Sequence, residues 1–126
     1  IELRYDAGEE VLPAISGDPE RLKQVFCNLL DNAAKYASPD STVRVILRRQ
    51  GSHCLLSVAS AGDAISKEDL KNIFKRFYRM DKARSMNHSY GLGLSIADSI
   101  VSKHSGKTWA ESADGVNTFF VQLPAA

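Results

Sequence analysis

The chain is poor in the residues that would point to a metal cage, a disulfide scaffold or a membrane span. It has 2 cysteines in 126 residues, Cys27 and Cys54, with no CxxC and no Cys/His ligand spacing. That excludes a disulfide framework and a zinc site built on cysteine pairs, and leaves reduced thiols as the default. Its 3 histidines, His53, His88 and His104, are scattered without a partner at ligand spacing, and each reads as structural or surface. No apolar run approaches the roughly 18 residues of a membrane helix. A Walker-type glycine-lysine loop is absent, so any phosphate chemistry must come from another constellation. Charge of one sign is also lacking. A net charge of +1, with acids and bases interspersed, leaves no nucleic-acid footprint, and Arg44, Arg48 and Arg49 read as a solvated strand face.

The remaining composition is that of an ordinary globular domain, 44% apolar and 25% charged, and its length predicts one domain over residues 1–126. The sequence opens on Ile1 with neither a methionine nor a signal-like segment, which suggests a fragment of a longer protein.

The chain is organised around residues 18–37, DPERLKQVFCNLLDNAAKYA. Asp18 can accept from unpaired amides, and Pro19 at the first helical position loses no bond, so a helix starts here. At about 100° per residue, Leu22, Val25, Phe26, Leu29, Leu30 and Ala33 fall within about 140° and form a core stripe. Along its flank Gln24, Asn28, Asn32 and Lys35 make a polar row. Two asparagines inside a helix lower its stability without adding charge, because their amides compete for backbone bonds. Neutral amide oxygens suit a magnesium ion held mostly by water and phosphate, and a lysine one turn on can meet phosphate. The row points to a nucleotide.

Elsewhere, alternation predicts strands at residues 1–5 and 12–16, then a hairpin of 42–49 and 53–59 across Gly51-Ser52. Ser66 with Asp69 forms a near capping box for a helix to about Lys75. Residues 79–90 are polar, basic and aperiodic, and read as a mobile loop. Gly91-Leu92-Gly93-Leu94 opens a second long helix, to about His104, whose bare amides could hold an anion. Gly106 ends it. Strands at 107–111 and 118–123 follow, joined by Asp114-Gly115. The order is α+β, not a repeating βαβ pattern.

Four stretches, in order and at consistent spacing, resemble the ATP-binding catalytic domain of two-component sensor histidine kinases, in the GHKL class of ATPases. NLLDNAAKY at 28–36 is similar to the family's N box, IFKRFYR at 73–79 to its F box, GLGLSIA at 91–97 to its G2 box, and SAGDAI at 60–65 stands where its G1 box belongs. GVNTFF at 115–120 resembles the last, G3-like element. The resemblance covers essentially the whole chain. It implies a Bergerat-type two-layer sandwich, a mixed and mostly antiparallel sheet of about five strands backed by about three helices.

By that resemblance Asn28 and Asn32 would ligate Mg2+, Lys35 would touch phosphate and Tyr36 would lie against the adenine. Ser60, Gly62, Ile65 and Thr118 would line the ATP site, with Gly91, Leu92, Gly93 and Leu94 offering backbone amides to the phosphates. Asn28, Arg79 and Arg84 would be catalytic, the arginines stabilising charge on the transferred phosphoryl group. Phe74 and Phe77 would dock a helical dimerisation and phosphoacceptor domain that carries the accepting histidine. A response regulator would be met through the full-length kinase. Neither nucleic acid nor direct membrane contact is implied, and the location is the cytoplasmic side of a membrane-anchored kinase.

Three positions depart from the pattern. Ser60 stands where the G1 box usually has Asp or Asn, Ala64 replaces its second glycine, and Asn117 occupies a usual glycine of the last element. These motivate an alternative, a degenerate domain that binds nucleotide weakly or not at all and serves as an interaction module. A free-standing kinase acting on a partner's serine is a third reading, against which the F box favours the histidine-kinase arrangement.

Overall fold

The computed structural model describes residues 2–6, 14–76, 78 and 93–126. Five strands and three helices occur among them: β1 (Glu2–Asp6), α1 (Pro19–Tyr36), β2 (Thr42–Gln50), β3 (His53–Ala61), α2 (Lys67–Asn72), α3 (Gly93–Lys103), β4 (Lys107–Ala113) and β5 (Val116–Pro124). The strands form one sheet in the order β1-β2-β3-β5-β4. β1 runs parallel to β2, reached through α1, and every other pairing is antiparallel. This is the expected mixed, mostly antiparallel sheet. A second strand is not formed by the described part of 12–16, since residues 14–16 carry no ladder.

The capped start of α1 is as the sequence predicts. The Asp18 carboxylate accepts from the amides of Glu20 and Arg21 at 3.0 and 3.3 Å, with Pro19 at the first position. Val25, Leu29 and Ala33, spaced four apart, are buried against the sheet, and Leu22, Phe26 and Leu30 pack beside them. Ser66 caps α2 by accepting from the Asp69 amide, but the regular helix closes at Asn72, three residues short of expectation.

α3 buries Leu94, Ala97, Ile100 and Val101 against α1 and the β4–β5 end of the sheet. Its end differs from the predicted one. Ser105, not Gly106, takes the left-handed conformation at φ 63°, and the amides of Gly106 and Ser105 bond back to the carbonyls of Val101 and Ser102 at 2.9 and 3.0 Å. Gly106 is needed for a different reason: a Cβ there would lie 2.3 Å from the Gln122 carbonyl oxygen of β5. His104 ties this end to the start of α1, its Nδ1 bonded to the Ile100 carbonyl at 2.8 Å and its Nε2 accepting from the Asp18 amide at 3.1 Å.

The β4–β5 hairpin turns on Asp114 and Gly115, both at positive φ (53° and 77°), the arrangement a two-residue turn between twisted strands requires. Val43, Val45, Val58, Phe119 and Val121 point from the sheet into the core shared with α1 and α3. The opposite face carries no described helix. On it Trp109 and Phe120 stack with ring centroids 5.0 Å apart.

Candidate nucleotide site

Three parts of the chain converge beside the polar flank of α1. The first is α1 itself. Asn28, Asn32, Lys35 and Tyr36 are all half-buried, as expected for a row at the edge of a core stripe. The Lys35 ammonium sits 5.3 Å from the centroid of the Tyr36 ring, so cation and aromatic face form a pair at the helix C-terminus.

The second part is the start of α3. Asn28 Nδ2 donates to the Gly93 carbonyl at 3.1 Å, across 65 residues of sequence. With one amide N–H directed at that anchor, Asn28 Oδ1 is the neutral oxygen it can offer a ligand. Among the described residues no three His, Cys, Asp or Glu side chains gather into a metal cage. The amide oxygens of Asn28 and Asn32 fit a magnesium ion that arrives with phosphates and is held mostly by them and by water. Leu94 is buried, so its side chain belongs to the core and only its backbone could serve a ligand.

The third part is the loop leaving β3. Ser60 is 2% exposed and its Oγ donates to the Ala33 carbonyl at 3.2 Å, tying the strand end to α1. The hydroxyl proton is thereby spent, and what Ser60 can offer further is lone pairs. Gly62 runs so close to the C-terminus of α1 that a Cβ would lie 2.4 Å from the Tyr36 carbonyl oxygen, which makes glycine obligatory there. Ile65 is 5% exposed and packs into the core, so it anchors the loop from beneath.

The structure therefore brings together Asn28, Asn32, Lys35, Tyr36, Ser60, Gly62, Ile65 and the Gly93-Leu94 helix start. It does not bring Thr118. Along β5, Asn117, Phe119 and Val121 are the buried positions, and Thr118 shares the other face with Phe120, turned away from α1. Arg79, Arg84, Gly91, Leu92 and Phe77, with the expected loop at 79–90, lie outside the described residues. Phe74 is half-buried and packs against the core, so only part of its ring is surface.

Two side chains that bond to this loop were not singled out by the sequence as its partners: Asn117, and Ser112 beside it. The available signal was the alternation itself, which puts Asn117 in phase with Phe119 and Val121 and so makes it a buried amide needing partners.

Burial pushes the Cys54 thiol up. The Tyr78 phenol is also held up, first by its hydrogen bond to the Asp69 carboxylate, then by desolvation and by the charges of Asp69 and Glu68.

Residues 17–126 match the family model described as histidine kinase-, DNA gyrase B- and HSP90-like ATPase. The chain is 42% identical over 112 residues to the sensor protein VanS of Enterococcus faecium, covering 88% of this chain and 29% of VanS. It is 36% identical over 128 residues to the sensor-like histidine kinase SenX3 of Mycobacterium tuberculosis, covering 99% of this chain and 30% of SenX3. The structure of a mycobacterial sensor histidine kinase, MprB, superposes with a TM-score of 0.88 at 31% identity, covering 98% of this chain and 83% of that one. The chain thus spans less than a third of the length of the two curated relatives. With the polar row on α1, the glycine loop against its C-terminus and the Asn28–Gly93 tie in place, the chain belongs to the family of histidine kinase-, DNA gyrase B- and HSP90-like ATPases, as the ATP-binding catalytic domain of a sensor histidine kinase.

Proposed function

We propose that this domain binds ATP with Mg2+ and passes the γ-phosphoryl group to a histidine on a separate helical dimerisation domain of the same kinase. The observation that carries this reading is the pinned Asn28, whose amide nitrogen is fixed on Gly93 so that its oxygen, with that of Asn32, can meet a phosphate-bound cation, while Lys35 along the same row meets the phosphates.

The base lies between Tyr36 and loop 62–65, where the Ser60 hydroxyl accepts from the adenine amino group with its own proton directed at Ala33. Backbone amides at 91–94 receive the phosphates. Bound magnesium would neutralise charge between the β- and γ-phosphates, with Asn28 and Asn32 as its protein oxygens. In the transfer a histidine nitrogen of the acceptor domain attacks the γ-phosphorus. The P–N bond forms as the bond to the β-bridging oxygen breaks, ADP leaves, and Arg79 and Arg84 stabilise the charge that develops. None of His53, His88 and His104 is the acceptor. His104 has both ring nitrogens engaged in structure.

Support for the setting comes from the relatives. A sensor kinase is the whole of which this domain is a part, and a structure of the histidine kinase ThkA in complex with the response regulator TrrA aligns with 98% of this chain at 25% identity and a TM-score of 0.78. We place the domain in the cytoplasm, docking its acceptor domain near Phe74 and Phe77. No helix among the described residues is long and apolar enough to cross a membrane.

The test is calorimetric titration with a non-hydrolysable ATP analogue, with and without Mg2+. Saturable, Mg-dependent binding at roughly −8 to −5 kcal/mol is expected. No heat and no thermal shift at millimolar nucleotide would replace this reading with that of a nucleotide-free interaction module.

A further inference from the structure

Among the described residues two polar side chains are buried outright, Ser60 at 2% and Asn117 at 1% exposure. They are opposite each other in the register of β3 and β5, and Ser112 of β4 stands opposite Asn117 on the other side. A polar row thus crosses three strands on the core face, at the end of the sheet from which loop 62–65 emerges.

The row is wired in one direction. The Ile65 amide donates to Ser112 Oγ at 3.0 Å, the Ser112 hydroxyl donates to Asn117 Oδ1 at 2.6 Å, and Asn117 Nδ2 donates to the Asp63 carbonyl at 2.9 Å. Each donor meets an acceptor, so the relay begins and ends on the backbone of the same loop. Burying a carboxamide is unfavourable unless its bonds are made, and an aliphatic side chain at 117 would fill the space without holding anything. The loop's own backbone supplies one further tie, Gly62 N–H to the Gly115 carbonyl at 3.1 Å. None of Asp63, Ala64 and Ile65 takes a positive φ, so the loop is not kept in shape by a special backbone conformation. Side chains of the β4–β5 hairpin keep it there, pressed against the Tyr36 carbonyl through Gly62.

We propose that Asn117 and Ser112 are positioning residues for the nucleotide site: they hold loop 62–65 in its base-receiving shape before ligand arrives, so that binding does not have to order it. The inference rests on the reading that adenine lies beside this loop.

The experiment pairs two readouts on the folded domain at 25 °C, with thermal midpoints checked: hydrogen exchange at the Ile65 amide by NMR, and the Kd for Mg2+ with a non-hydrolysable ATP analogue. Ser112→Ala removes the relay's centre and leaves Asn117 to fill its space. It should speed exchange at Ile65 by about tenfold or more and raise Kd roughly 5- to 20-fold. Ser112→Thr keeps the hydroxyl and should restore both. Asn117→Ala should act in the same direction as Ser112→Ala, and if it does not fold, the Ser112 pair decides alone. Faster exchange in Ser112→Ala with Kd within twofold of the parent overturns the proposal, because the relay would then be structural only. Unchanged exchange overturns it as well. A parent domain that binds no nucleotide removes this proposal together with the reading on which it rests, whereas a parent that binds and variants that match it remove the proposal alone.

Discussion

At the base end of the site, loop 62–65 hangs on a relay through Ser112 and Asn117, a strand end tied to α1 by Ser60, and a glycine pressed on the Tyr36 carbonyl. At the phosphate end a side-chain bond from Asn28 to the Gly93 carbonyl joins the two helices. The first end is tied several times through buried groups; the second includes a half-buried amide that, on the proposed reading, also serves the cation. Losing one contact should therefore be graded at the base end and severe at the phosphate end. The difference follows from what each must do. A flat, neutral base needs a preformed slot, while a charged triphosphate with its cation brings much of its own binding energy and needs few, well-aimed groups.

The sharpest way to break this contrast is Asn28. Asn28→Ala removes both the Gly93 anchor and the ligand oxygen, and should weaken Mg-dependent binding of the ATP analogue by at least about 100-fold. Asn28→Asp keeps an oxygen for the cation but cannot donate to the Gly93 carbonyl, and should fall between, at about 10-fold. Calorimetry with and without Mg2+ separates the two. Equal losses for Ala and Asp would mean that the anchor, not ligation, is what Asn28 supplies.

A smaller effect is expected at the other end. Ser60→Ala deletes a buried donor to Ala33 and, on the proposed reading, the acceptor offered to the base. The cost of one buried hydrogen bond, about 1–3 kcal/mol, corresponds to roughly 5- to 150-fold in ATP affinity. The remaining ties of the base end should keep the measured value near the lower limit. A loss as large as that of Asn28→Ala would show that the two ends are equally fragile.

Much of this was legible. Asp18-Pro19 and the Val25, Leu29, Ala33 spacing located α1 to within a residue, because cap chemistry and a 3.6-residue period are local. The same holds for Ser66 and for the Asp114-Gly115 turn. What sequence could not supply was partnership. The alternation of residues 1–5 announces a strand, but nothing in it says that β1 pairs in parallel with β2. Gly106 marked the end of α3, yet the left-handed position fell to Ser105, because the glycine was required by the approach of β5 instead. Thr118 was assigned to the site by resemblance, and strand parity puts it on the far face, with Asn117 taking the inward place. Parity is readable in sequence. The relay from Asn117 to Ser112 and Asp63 is not, since it joins residues up to 54 positions apart.

The smallest effect concerns how the base end is held beyond its loop. After Ile65 the chain enters α2, and Tyr78 reaches back to hydrogen-bond the Asp69 carboxylate, which with desolvation and the nearby acids raises the phenol above its ordinary value of 10.0. The neutral phenol is the form the fold prefers. Its contribution is therefore complete below about pH 10 and is lost as pH rises through the raised folded-state value. Tyr78→Phe should lower the thermal midpoint slightly at pH 8 and flatten its decline above about pH 10, because the variant has no phenol to ionise there. The Asn28–Gly93 tie itself contains no titratable group. If the midpoints of parent and Tyr78→Phe run parallel to pH 11, the Tyr78–Asp69 bond does not help to hold the segment that follows the loop, and the redundancy of the base end stops at Ile65.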